Sequence, residues 1–88
     1  MKRLITKEEF DKAVEAVWTE IEYQNSLPRR TDNEAKDVPG FLTLGRRYIR
    51  KTEDLWADNA GDEEALPGLR KIAAIFIRGM LYSGVRSR

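Results

Sequence analysis

The chain has 88 residues, 35% of them charged and 41% hydrophobic, with a formal net charge of +1, a size that suits one domain around a single small core. It contains no cysteine and no histidine, which excludes disulfide frameworks, zinc sites built on thiolates or imidazoles, and Ser-His or Cys-His triads. Any catalysis would run on carboxylates around a hard cation such as Mg2+, or on lysine.

The near-neutral total conceals a gradient. Residues 1–27 carry four basic and six acidic side chains, residues 28–58 seven and six, and residues 59–88 five and three. From Ala65 onward the chain is purely cationic. That polarity falls short of the basic face of a dedicated DNA binder, so nucleic acid is not the expected partner. No apolar run approaches the ~20 residues of a membrane span, and MKRLITKEEF does not read as a signal peptide. A cytoplasmic protein with no membrane partner is expected.

The first element is announced by Thr6 and Glu9, the spacing of a capping box, with Glu8, Glu9 and Asp11 suiting the positive end of a helix dipole. Phe10, Val14, Val17 and Ile21 then recur with helical period, flanked by Ala13 and Trp18. This predicts an amphipathic helix over about 6–25 with Lys12, Glu15, Thr19 and Glu22 on its solvated face. Gln24 falls on the apolar side and Tyr23 on the polar side, a local inversion. The polar stretch 26–37, with Pro28, paired arginines and Asp32-Asn33, reads as a loop.

Asp37 suits the N-cap of a second helix over about 38–57, with Pro39 tolerated in its first turn. On a helical wheel Phe41, Leu44, Gly45, Tyr48, Thr52, Leu55 and Trp56 fall together, extended by Leu42 and Ile49. The resulting apolar arc of roughly 160° is wider than the ~100° that faces one neighbour, so this helix is expected to be the centre of the domain. Arg46 and Arg50 project from one flank, Arg47 and Lys51 from the other. Each is a mildly repulsive like-charge pair, partly offset by Glu53 and Asp54.

Asn59-Ala60-Gly61 stops that helix, and Asp62 is the expected cap of a third over about 62–83, closed by Gly84. Pro67 either begins a fresh helix after a short turn or bends the first turn of a continuous one. Leu69, Ile72, Ala73, Phe76 and Met80 form one face, with Leu66, Ala74, Ile77 and Leu81 extending it, and only Lys71, Arg78 and Tyr82 make a polar strip. A helix so apolar is central or faces another subunit. Arg70 lies among apolar neighbours and therefore needs a carboxylate, an anionic ligand or a route back to water. The expected fold is one all-α domain of three helices spanning 1–88, a homo-oligomer through the last helix.

Two chemistries compete for these residues. Mg2+-dependent hydrolysis needs several converging carboxylates. The available ones are Glu53, Asp54 and Asp58 on the second helix and Glu20 and Glu22 on the first, and they read most simply as solvated partners of nearby arginines. Alternatively, Arg29, Arg30, Arg46, Arg47, Arg50, Arg70 and Arg78 can converge on phosphates through paired guanidinium hydrogen bonds. Tyr48 or Trp56, with Trp18 and Tyr23, can then stack on a base. The competing reading is a solvated basic face, with Phe10, Phe41, Tyr48, Trp56 and Phe76 in the core.

Glu22-Tyr23-Gln24 resembles the E-x-x-YQ signature of small phage-encoded proteins. Leu69-Arg70-Lys71-Ile72-Ala73-Ala74-Ile75 is similar to the helix that closes the same proteins. From roughly Val17 to Tyr82 the chain looks like a shortened relative of the MazG-like nucleotide pyrophosphohydrolases. That family holds Mg2+ with paired carboxylates on two helices. Here the middle helix offers only adjacent Glu53-Asp54, and the last has Lys71 and Arg78 on its polar strip. The resemblance thus implies a non-catalytic relative, with no catalytic residue, metal ligand or cofactor to carry over.

The expected function is a phage-type binding protein whose arginine-rich groove takes a nucleotide or other phosphate-bearing ligand, in a role against host defence. The alternative is an interaction module that inhibits a host protein, an enzyme. A Mg2+-dependent pyrophosphohydrolase on an unusual carboxylate set ranks third.

Overall fold

A computed structural model describes residues 2–28, 37–58 and 61–88. Three helices account for most of them: α1 (Lys7–Ser26), α2 (Val38–Asp58) and α3 (Asp62–Ser83), with no strand among the described residues. The chain is a small all-α domain.

Local chemistry sets the helix ends. Thr6 accepts a hydrogen bond from the Glu9 backbone N–H at 3.1 Å, and the Glu9 carboxylate accepts one from the Thr6 N–H at 3.1 Å. This reciprocal cap satisfies donors that the first turn would otherwise leave orphaned. The hydrogen bond from the Thr6 backbone, aided by the Arg3 guanidinium, holds the Glu9 carboxyl below its ordinary value of 4.5. Asp37 caps α2, accepting from the Gly40 N–H at 2.8 Å. Gly61, at φ 126°, turns the chain into α3, and Gly84, at φ 122°, ends it with its N–H on the Met80 carbonyl. Both glycines lie where a side chain would be strained. Asp62 does not cap α3 as expected: Gly61 is the N-cap, without a side-chain bond, and Asp62 instead accepts from the Trp56 indole at 2.9 Å. Pro67 lies within a continuous α3, past its first turn, so the helix there forgoes the one bond that a residue-67 N–H would give to the Glu63 carbonyl.

The order of the layers departs from the sequence reading in one respect. The central helix is α3: it packs against both α1 and α2, while α1 and α2 do not touch through any described residue. Among the described residues the apolar arc of α2 is therefore covered by one neighbour, and Val38, Leu42, Ile49 and Trp56 on it are exposed. Along α3, Ala74 is fully buried and Ile75 5% exposed.

The α2–α3 pair is antiparallel and unusually close. Each helix offers a glycine or small residue to a bulkier group on the other. The Phe76 ring lies over Gly45, Thr52 fills the space above Gly68, and Phe41 lies over Gly79. A Cβ on Gly79 would come 2.9 Å from Cγ of Phe41, well inside contact distance. Phe41, 5% exposed, also meets Tyr82 edge-on at 5.5 Å between ring centroids. Between α1 and α3 the contact is slighter. Val17 and Glu20 are buried and Ile21 and Gln24 half-buried, while Phe10, expected in the core from its period, stays exposed.

The domain is open. Its radius of gyration is 14.4 Å, against about 12 Å for a compact chain of this length. No large side chain among the described residues is fully buried, and eighteen large hydrophobic ones are exposed.

Two outcomes follow from this packing. Gly79→Ala would stabilise a helix by about 1 kcal/mol on a free surface; here the clash with Phe41 reverses the sign, and denaturant unfolding is expected to show a net loss of about 1–3 kcal/mol. Because the Glu9 carboxyl is lowered in the folded chain, its contribution to the α1 cap is complete above the unfolded value and fades as pH falls through the lowered one. Far-UV circular dichroism should record a loss of helix over that acid range, absent in Glu9→Gln.

Candidate functional site

Two arginines of α3 are committed to α1. Arg70, whose place on the apolar wheel demands a partner, finds it on α1: its Nε donates to Glu20 Oε1 at 3.2 Å. The Glu20 side chain is only 8% exposed, that of Arg70 42%. Arg78 donates to Gln24 Oε1 through Nε at 3.4 Å and Nη2 at 3.2 Å, and to Asn25 Oδ1 at 3.2 Å. Gln24 also donates to Glu20 at 3.3 Å. The inverted Gln24 is thereby explained, since it belongs to a polar strip that fastens α1 to α3. A sequence signal for this exists. Glu20 and Gln24 are one turn apart beside the apolar stripe of α1, where a polar pair needs partners.

The remaining arginines lie elsewhere. Arg46, Arg47 and Arg50 are exposed on α2 and make no ion pair among the described residues. Arg29 and Arg30 lie outside the described residues. The described arginines are not gathered into one groove: Arg70 and Arg78 turn to α1, and α1 does not reach α2 among the described residues.

What does converge is a pair of lysines. Lys51 of α2 and Lys71 of α3 bring their ammonium groups to 4.9 and 4.5 Å from the centroid of the half-buried Tyr48 ring. Cations are attracted to an aromatic face at that range. Lys71 shares its strip of α3 with Arg78, two turns further on. Tyr48 is among the residues expected to stack on a base, and the approach of Lys71 to it is set by the register of α2 against α3. Trp56, the other candidate for stacking, is exposed with its indole N–H committed to Asp62.

Carboxylates do not assemble into a metal centre. Among the described residues no three acidic side chains lie close enough to hold an ion, and Glu20 is engaged by Arg70.

The α2–α3 pair also presents exposed apolar residues. Val38, Leu42, Ile49 and Trp56 form a single stripe along α2 and are all exposed. At one end of the α2–α3 pair Val38 and Leu42 line a cleft with Phe76 and Met80 of α3. At the other, Trp56 lines an open cleft of about 720 Å³ with Leu66 and Leu69. Ile49 lies between the two on the same stripe, so exposed apolar residues recur along one side of the helix pair, with Glu53, Asp54 and Asp62 also lining the larger cleft.

Comparison with known proteins finds no matching family model, no matching curated protein and no matching solved structure.

That contact makes a measurable claim. Arg70→Met leaves the nearly buried Glu20 carboxylate without a counter-ion, held by Gln24 alone among the described residues, and unfolding in urea should show a loss of about 1–2 kcal/mol, below the cost of breaking a fully buried pair because Arg70 is itself partly solvated. Adding Glu20→Leu to Arg70→Met removes the stranded charge and should recover most of that loss.

Proposed function

We propose that this chain is a non-catalytic interaction protein that works by presenting the apolar side of its α2–α3 pair to another protein surface. The observation that carries this reading is the continuous exposed stripe of Val38, Leu42, Ile49 and Trp56, joined by Leu66, Leu69 and Met80 of α3. These seven large apolar residues are 39–61% exposed and lie on one side of the helix pair, where an ordinary monomer scatters such residues singly. Trp56, held across the turn by Asp62, is an anchor whose rotamer is already chosen, which lowers the ordering cost of binding.

A second reading has its own observation. Lys51 and Lys71 share the Tyr48 ring, two cations from different helices with no carboxylate in ion-pair range among the described residues. Such a place suits a phosphate-bearing ligand. Calorimetric titration with inorganic phosphate and a panel of nucleotides should then show binding that Lys71→Ala abolishes; silence across the panel removes this reading and leaves the first intact.

The interaction reading is tested with a photo-crosslinking amino acid placed at Leu69, on the apolar side, and at Glu15, on the outer face of α1. Protein adducts are expected at position 69 and not at position 15. Equal yields at both, or none at 69, would overturn it.

A further inference from the structure

We propose that the occupant of the apolar side is a second copy of this chain, joined by antiparallel pairing of α2 with α2 about a two-fold axis at Ile49. The inference rests on the interaction reading above and deepens it by naming the partner.

The stripe is complementary to itself in shape. Leu42, Ile49 and Trp56 are spaced by sevens, the spacing that keeps side chains on one seam when two helices pack along their length. With the axis at Ile49, Leu42 and Trp56 lie about 10.5 Å to either side of it along the helix. Leu42 then meets Trp56 of the second copy, Trp56 meets Leu42, and Ile49 meets itself. Small lies against large at both ends of the seam.

Charge selects the same arrangement. Arg46 and Glu53 border the stripe on its outer edge, both exposed and neither in an ion pair among the described residues. On one helix they are two turns apart, about 10.5 Å along the axis, too far to satisfy each other. Arg46 precedes Ile49 by three residues and Glu53 follows it by four, so a two-fold axis at Ile49 brings each level with the other's copy. Two Arg46–Glu53 contacts close the outer edge. Parallel pairing sets Arg46 level with Arg46 and Glu53 with Glu53, and forms no opposite-charge contact. A surface that matches itself in both shape and sign under one rotation is the hallmark of an isologous dimer. Unrelated partners need no such internal register.

The inner edge agrees. Leu66, Leu69 and Met80 of α3 rise on the same side and would cover the second copy's seam, making a four-helix layer. The polar strip that fastens α1 lies on a different side of α3 and is left untouched.

Light scattering of the full chain across a micromolar concentration series tests the proposal, together with circular dichroism to confirm that each variant is folded. The wild-type chain is expected at twice the mass of one copy. Ile49→Glu sets two carboxylates against each other at the axis and should raise the dimer dissociation constant more than about 100-fold. Ile49 is already exposed in the single chain, so helicity is expected to stay. Arg46→Glu and Glu53→Arg should each weaken the dimer roughly tenfold by setting like charges together, and the double exchange should restore it to within about threefold. A wild-type monomer throughout overturns the proposal; Leu69 cross-links to a different protein in that case preserve the interaction reading. A dimer indifferent to Ile49→Glu overturns the seam. A dimer that Ile49→Glu breaks, but that the double exchange does not rescue, overturns the antiparallel register.

Discussion

Everything in this domain depends on how closely α2 and α3 approach. Gly45, Gly68 and Gly79 remove side chains where Phe76, Thr52 and Phe41 come in from the opposite helix. In a chain with so small a core, the dispersion attraction created by that approach replaces the bulk of buried aliphatic side chains that larger domains rely on. The notches also fix the register, because each bulky group has one place to go. Once α2 and α3 are locked in this way, their remaining apolar residues have no freedom to turn inward, and a whole side of the pair is left facing out.

The polar strip between α1 and α3 does a different job. Its members are Glu20, Gln24, Asn25, Arg70 and Arg78, and their bonds run from 3.2 to 3.4 Å. Such a contact specifies which face of α1 meets α3, because an unpartnered Arg70 or Glu20 would be destabilising. It contributes less net stability than a packed apolar seam of the same length. The domain is thus a firm helix pair with a third helix held by directional bonds.

Much of this is legible in the residues. The three helices stand at the expected places to within a residue or two, because capping at Thr6 and Asp37 and the glycines at 61 and 84 are local signals that no tertiary contact overrides. The need of Arg70 for a partner is visible on the wheel, though not that the partner is Glu20. The centre of the domain is not visible there. A wide apolar arc on α2 suggests two covered sides, but periodicity reports only which residues avoid water, and one of those sides is exposed in the single chain. The same limit applies to Phe10 and Trp56, which have core chemistry and surface positions. The glycines of α2 and α3 read on the wheel as neutral gaps, since their partners come from another helix. Convergence of Lys51 and Lys71 on Tyr48 is likewise a product of helix register, which a single wheel does not contain.

The unequal attachment of the helices has a consequence for how the molecule breathes. Because α1 packs among the described residues on α3 alone, through Val17, Ile21 and a polar strip in its C-terminal half, its release breaks no α2–α3 contact. Opening of α1 is therefore a lower-lying event than global unfolding. Amide protons along α1 exchange through that lower-energy route, while those of Gly45, Ala74 and Ile75 wait for the notched pair to separate. In folding, the order is reversed. The α2–α3 hairpin, neighbours in sequence with short loop closure, assembles as the first unit, and α1 docks onto a surface that already exists.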